Sequence, residues 1–162
     1  MTRPSITMEL SLLEAAHLSD LVGQFEEVIA ERDESDPAVR RLVPDAYPDD
    51  DDATTEFRRL TQDDLLSRRA ADAAGVRASL YRDGMELDLA ELDRASAEDI
   101  LVVELTPELA GAWLRTLAAL RLVLAERLGI TEQDQDAEDD ARFGVYEWIG
   151  YRLEILVRAL DA

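Results

Sequence analysis

The sequence predicts a mainly all-α fold: one bundle-like helical domain over residues 1–162, with about five main helices and one short two-stranded β ribbon. Three observations predict it. From Thr106 to Ile130, the residues Leu109, Trp113, Leu117, Leu120, Leu124 and Leu128 recur every three or four positions, which places them on one helical face. Helix-capping signals stand ahead of this run and of other apolar runs. Two short stretches, Ser5 to Leu10 and the β-branched Leu101 to Leu105, each stop just before a capped helix, in matched positions suited to pairing. A length of 162 residues suits one domain, which at this size buries roughly 70% of the surface its unfolded chain exposes.

Taken in order, Leu10 stands where a hydrophobic staple belongs, and Ser11-Leu12-Leu13-Glu14 has the spacing of a capping box. The helix it opens runs to about Arg32, with Leu18, Leu21, Val22, Phe25, Val28 and Ile29 on one broad face. His17, the only histidine, falls beside Leu13 and Leu21 on the helical wheel, a helix-edge or core position with no second histidine to share a metal. Asp36-Pro37 starts another helix, aspartate as cap and proline in the first turn. That helix is short, because Pro44 disfavours helix at Val43. The four aspartates Asp49 to Asp52 suit the positive end of a further helix, Ala53 to Leu60. Thr61-Gln62-Asp63-Asp64 repeats the capping logic and is expected to open a separate, alanine-rich helix to about Arg82, closed by Asp83-Gly84.

Residues 85–100 are strongly acidic and are expected to form an exposed, adaptable segment. In the long apolar stretch Thr106 is the cap, Pro107 the first helical residue and Gly129 the left-handed stop. Leu114, Ala118, Leu122 and Ala125 widen its apolar surface beyond one seam, so this helix is expected at the centre of the domain and to be its most buried element. An acidic loop follows over 131–140, and then a last helix, Phe143 to Leu160, with Val145, Trp148, Ile149, Leu153, Leu156 and Leu160 apolar. Tyr146, Trp148, Tyr151 and Ile155 extend round it beyond that stripe and form a candidate interface for a homodimer or another protein.

The net charge is −20, and all 17 basic residues are arginine. The missing lysine reads as GC-rich coding bias. So acidic a chain repels nucleic acid and anionic lipid at long range, and neither is expected as a partner. There is no cysteine, hence no disulfide, thiolate nucleophile or cysteine zinc site. No apolar run approaches the ~20 residues of a membrane span, and the N-terminus lacks a signal-peptide core, so the cytoplasm is the expected location.

Motifs for catalysis are missing: there is no G-x-S-x-G, no H-E-x-x-H, no dinucleotide fingerprint and no glycine-rich phosphate cradle. Asp134, Asp136, Glu138 and Asp140 alternate like the start of a calcium loop. Aspartate at 139 replaces the turn glycine, and Val145 replaces the bidentate glutamate. No cofactor or metal is expected. The pairs Arg58-Arg59 and Arg68-Arg69 read as surface partners of the many acids. Neighbouring helical residues point roughly 100° apart, however, so one of each pair can face inward and build an anion or partner site.

Arg121 is the outlier of the central helix, set between Leu117, Leu120 and Leu124. Its guanidinium is expected to be partly buried and to meet a carboxylate, several carbonyls or a bound anion, because arginine does not escape burial by losing its proton. The nearest candidates are Asp45, Asp49 and Asp50, in the proline-fixed segment from Pro44 to Asp50. A pair with one of them would lock that segment to the core. With Arg58 these residues make up the candidate polar or anion site.

Several blocks carry a resemblance: Arg41-Leu42-Val43-Pro44-Asp45-Ala46-Tyr47 with Glu56-Phe57-Arg58-Arg59-Leu60-Thr61, Ala112-Trp113-Leu114-Arg115 with Arg127-Leu128-Gly129-Ile130-Thr131, and Val145-Tyr146-Glu147-Trp148-Ile149-Gly150-Tyr151. Together they resemble an uncharacterised actinobacterial family built around a domain of unknown function. The resemblance covers almost the whole chain and is weakest over 85–100. It implies a helical fold, no assigned catalytic residues, and genes that often lie beside that of the Clp protease adaptor ClpS. Two functions follow as expectations. One is a non-enzymatic interaction or regulatory protein tied to Clp-dependent proteolysis; the other is a small-anion or small-ligand protein, or an enzyme, with its polar site around Arg121.

Overall fold

The computed structural model describes residues 5–43, 51–129 and 141–162, and for 51–55, 57–59, 141 and 142 the helical backbone alone. Its elements are β1 (Ile6–Ser11), α1 (Leu12–Glu31), α2 (Pro37–Leu42), α3 (Asp51–Ser79), β2 (Ile100–Leu105), α4 (Pro107–Leu128) and α5 (Ala141–Asp161). The mainly helical fold with its ribbon is the one the sequence predicts.

β1 and β2 pair antiparallel, with Ile6 opposite Leu105 and Ser11 opposite Ile100. Side chains alternate across the ribbon: Leu10, Val103 and Leu105 are buried, while Thr7, Glu9, Val102 and Glu104 face outward. Thr7 Oγ1 donates to Glu104 Oε1 across the register at 2.8 Å. Each strand runs straight into a capped helix. At α1, Ser11 Oγ accepts from the Glu14 amide and the Glu14 carboxylate accepts from the Ser11 amide, a complete capping box. At α4, Thr106 accepts from the Leu109 amide, Pro107 is the first residue, and Gly129 ends the helix at φ 65°. The ribbon therefore sets where the two best-buried helices begin.

α4 packs against α2, α3 and α5, and more lightly against α1. Trp113, Leu117, Leu120 and Val123 are buried on it, together with Ala110, Ala112, Ala119 and Ala125. Burial is shared more evenly than expected. α1 matches α4 by burying Leu12, Leu18, Val22, Phe25 and Ile29 along with three smaller residues, so the core rests on two helices. Leu122, expected within the apolar surface of α4, is 42% exposed. His17 is exposed beside the exposed Leu13, which settles it on the helix edge and outside the core.

The helix expected to break at Thr61 does not break. α3 is continuous from Asp51 to Ser79. Thr61 and Asp63 are good caps but are tolerated mid-helix, and no proline or glycine interrupts the chain there. Buried Gln62 and Leu66 dock that stretch. Residues 85–99 are anchored more firmly than their acidity suggests. The amides of Leu12 and Leu13 donate to the carbonyls of Asp99 and Ala97, and Leu87 packs against the core. Arg77 on α3 is the hub: it bonds Glu26 of α1 at 2.5 Å and Glu86 at 2.8 Å, and Ser19 also donates to Glu86.

Asp36, the cap of α2, ties that short helix to the far end of α4. It accepts from the Ala38 amide and from both terminal nitrogens of Arg127, at 2.8 and 2.6 Å. The hydrogen bonds and charge of Arg127 and the capped amides hold the Asp36 pKa below the usual carboxylate value despite desolvation. A depressed folded-state pKa stabilises above the unfolded value and ceases to do so as pH falls through the folded one. The melting-temperature gap between wild type and Asp36→Asn is therefore expected to be open at pH 7 and to close as pH drops below about 4. A gap that stays constant across a pH series of thermal melts would contradict this.

Candidate functional site

Among the residues singled out from sequence, Arg121 rests on an aromatic ring of α5. Its guanidinium carbon lies 4.4 Å from the centre of the Tyr146 ring on α5. A side chain at Gly150 would stand 3.2 Å from Cζ, Nε and Nη2, so glycine there leaves the guanidinium its seat. Its Nε is buried without a hydrogen-bond partner. An aromatic face thus meets the cation, and such a contact contributes roughly 0.5–2 kcal/mol. Asp45, Asp49, Asp50 and the Arg58 side chain lie outside the described residues, as do the acidic positions 131–140.

The candidate interface divides. Tyr146 lies under Arg121, and Trp148 packs against the core, where its hydrogen bond also steadies Glu14. Tyr151 and Ile155 point outward, 59% and 40% exposed, with Val157 and Leu160 also exposed further along α5. Ile149 and Leu156 are the buried side of the helix. Residues next to Ile149 are drawn inward with it, while Tyr151 and Ile155, one turn apart, keep a common outer face. Arg152 reaches from α5 to Glu14 at 2.6 Å and so fastens α5 to the cap of α1. Burial alone would raise the Glu14 pKa; the bonds from Arg152, the Ser11 amide and Trp148 outweigh it and bring the pKa below its usual value.

Sequence reasoning did not find a cleft of about 720 Å³ between α3 and α4, floored by Phe25 of α1. Leu65, Arg68, Arg69 and Asp72 line it from α3; Arg115, Thr116, Ala119 and Leu122 line it from α4. Spacings of three, four and seven residues put both sets on facing helical stripes. Asp72 holds Arg115 in a two-point contact, Nε at 2.8 Å and Nη2 at 3.1 Å, which raises the Arg115 pKa. Arg69 turns inward, as one member of its pair was expected to. Desolvation lowers its pKa against the countering charge of Asp72, and its buried Nε has no hydrogen-bond partner. Arg68 turns out to solvent and pairs with Asp64. Thr116 is 2% exposed, and its Oγ1 is likewise unpartnered. The adjacency of Arg68 and Arg69 was the only signal in the sequence; Thr116 gave none.

Among the described residues no cluster of His, Cys, Asp and Glu has the makings of a metal site, and no helix is long and apolar enough to cross a membrane. A family model described as a domain of unknown function, DUF2017, matches residues 1–160. The AosR protein of Mycobacterium leprae is 32% identical over 143 residues, covering 78% of this chain and 59% of that protein. Proteins named oxidative stress regulator AosR in Mycobacterium tuberculosis and Mycobacterium bovis are 27% identical over 191 residues, covering 97% of this chain and 83% of theirs. The chain thus spans under two thirds of the length of the first relative. No solved structure matches.

Proposed function

The chain belongs to the DUF2017 family, and on that premise we propose that it is a non-enzymatic regulatory protein that acts by binding a protein partner in the cytoplasm. What carries this reading is the extent of the likeness: 97% of the chain aligns with proteins named as oxidative stress regulators. Thiol chemistry on its own residues is closed to it, since the chain has no cysteine. Regulation by this chain therefore runs through contacts. The surface we assign to them is the outer face of α5, where Tyr151 and Ile155 stay exposed while Ile149 and Leu156 seat the helix. Aromatic and aliphatic residues of this kind are favoured in interface centres, where charged ones are depleted. A tie to Clp-dependent proteolysis belongs to the same proposal and rests on the family resemblance alone. A second copy of the chain is the other occupant this face would take.

The test is the full chain carrying Tyr151→Asp with Ile155→Asp. Both positions are exposed, so the variant is expected to melt within about 1 kcal/mol of wild type. Affinity capture from lysate, read by mass spectrometry, is expected to show proteins held by wild type and lost from the variant. The Clp adaptor among them would support the proteolysis link. Light scattering showing a wild-type dimer that the variant lacks would name the second copy instead. Equal capture by both chains, with both monomeric, would contradict the assignment.

A further inference from the structure

We propose that the cleft between α3 and α4 is a binding site for a small organic monocarboxylate with an apolar body, held at its head by Arg69, Arg115 and Thr116. This goes beyond the regulatory reading, and nothing in that reading requires it.

Size and lining come first. A volume of about 720 Å³ lies inside the range of small-molecule sites, roughly 300–1,000 Å³. Phe25 at the floor is 1% exposed, and Leu65, Ala119 and Leu122 add apolar wall, so a hydrocarbon body has a surface to meet. The alanines on α4 keep the cleft open where larger side chains would close it. Leu122 stands at its mouth and is the apolar residue of α4 that the core leaves half in solvent.

Two residues of the lining each carry a polar atom without a hydrogen-bond partner. Thr116 Oγ1 is buried and unpartnered, although a helical threonine ordinarily has the carbonyl four residues back available to it. Arg69, on the facing wall, likewise has a buried Nε without a partner. Buried polar atoms left unpaired are rare and point to a missing partner. The partner that fits is an acceptor: both an arginine N–H and a threonine O–H donate to a carboxylate oxygen. The cleft already holds an oriented cation. Asp72 takes Nε and Nη2 of Arg115, and Nη1 rests over Gly111, where an added side chain would stand only 3.1 Å away.

Charge selects the anion. Asp72 is committed to Arg115, and Arg68 pairs with Asp64, so the charge left over is one positive unit on Arg69. One unit matches a monocarboxylate and falls short of a phosphate dianion. A planar carboxylate also suits the fork of an arginine. In a chain of net charge −20, a concave patch with a surplus cation is a place where an anion is tolerated.

Isothermal titration of the full chain with octanoate tests this, with octanol as the same body without charge and octyl phosphate as a dianion. Saturable one-to-one binding of octanoate is expected, with octanol far weaker. Arg69→Gln and Thr116→Val should each weaken octanoate about tenfold, the loss of roughly one good hydrogen bond. Thr116→Val removes an unpartnered hydroxyl, so its melting temperature without ligand should hold or rise while binding falls; a residue with a purely structural role would not separate the two. Leu122→Trp, at the exposed mouth, should block the cleft without unfolding the chain and decides the matter if Arg69→Gln folds poorly. Absence of saturable octanoate binding, equal binding of octanol, or indifference to Leu122→Trp would overturn the proposal. Tighter binding of octyl phosphate would replace it with a phosphate site.

Discussion

Trp113→Ala is expected to cost about 3–5 kcal/mol, lowering the melting temperature by about 10 °C in a chain of this size. Trp113 is 1% exposed in the second turn of α4, and its indole N–H donates to Ser79 Oγ at 2.9 Å. Ser79 in turn donates to the Val76 carbonyl, which closes the last turn of α3. Truncation empties a large volume between α3 and α4 and leaves the Ser79 hydroxyl short of a partner. Trp113→Phe should fall between the two, because most of the ring is kept and only the hydrogen bond and part of the volume are lost. A thermal melt of Trp113→Ala within 2 °C of wild type would mean that α4 is not seated on α3 as described.

The second large effect is a contrast along one helix. Ile149→Asp is expected to cost about 4 kcal/mol or more, and Ile155→Asp close to nothing. The two substitutions are chemically identical and lie less than two turns apart on α5. Ile149 has no exposed surface, so an aspartate there loses apolar burial and brings a carboxylate into the core with no cation assigned to it. Ile155 is 40% exposed, and a carboxylate there remains solvated. Urea unfolding curves of the two variants measure the difference. Similar midpoints would show that α5 is rotated about its axis, and the outer face assigned to partner binding would go with it.

Local signals in the sequence carried the fold a long way. Ser11 with Glu14, Asp36 with Pro37, and Thr106 with Pro107 and Gly129 each mark a helix end by chemistry contained within a few residues. The ribbon was legible because both strands end at such caps. The continuity of α3 was not, since Thr61-Gln62-Asp63-Asp64 carries the same residue types that start helices, and only the burial of Gln62 and Leu66 shows that the helix runs on. The aromatic neighbour of Arg121 was not legible either. Charge balance asks for a carboxylate, and only tertiary packing reveals that Tyr146 and Gly150 make a flat seat for the guanidinium. The cleft was hardest to read. Its polar pair, Arg115 and Asp72, joins residues 43 apart, and in a chain with 37 acidic residues no spacing singles out Asp72. Arg68 and Arg69 are neighbours in the sequence, yet which of them turns inward depends on where α4 lies.

Regulation through contacts on the outer face of α5 is most directly tested in cells. A strain lacking the gene would be complemented with the wild-type chain or with the Tyr151→Asp, Ile155→Asp variant, and its transcript response to hydrogen peroxide measured. The wild-type chain is predicted to restore the response and the variant to leave it impaired at equal protein level. A variant that restores the response as fully as wild type, or a deletion that leaves the response unchanged, would contradict the account.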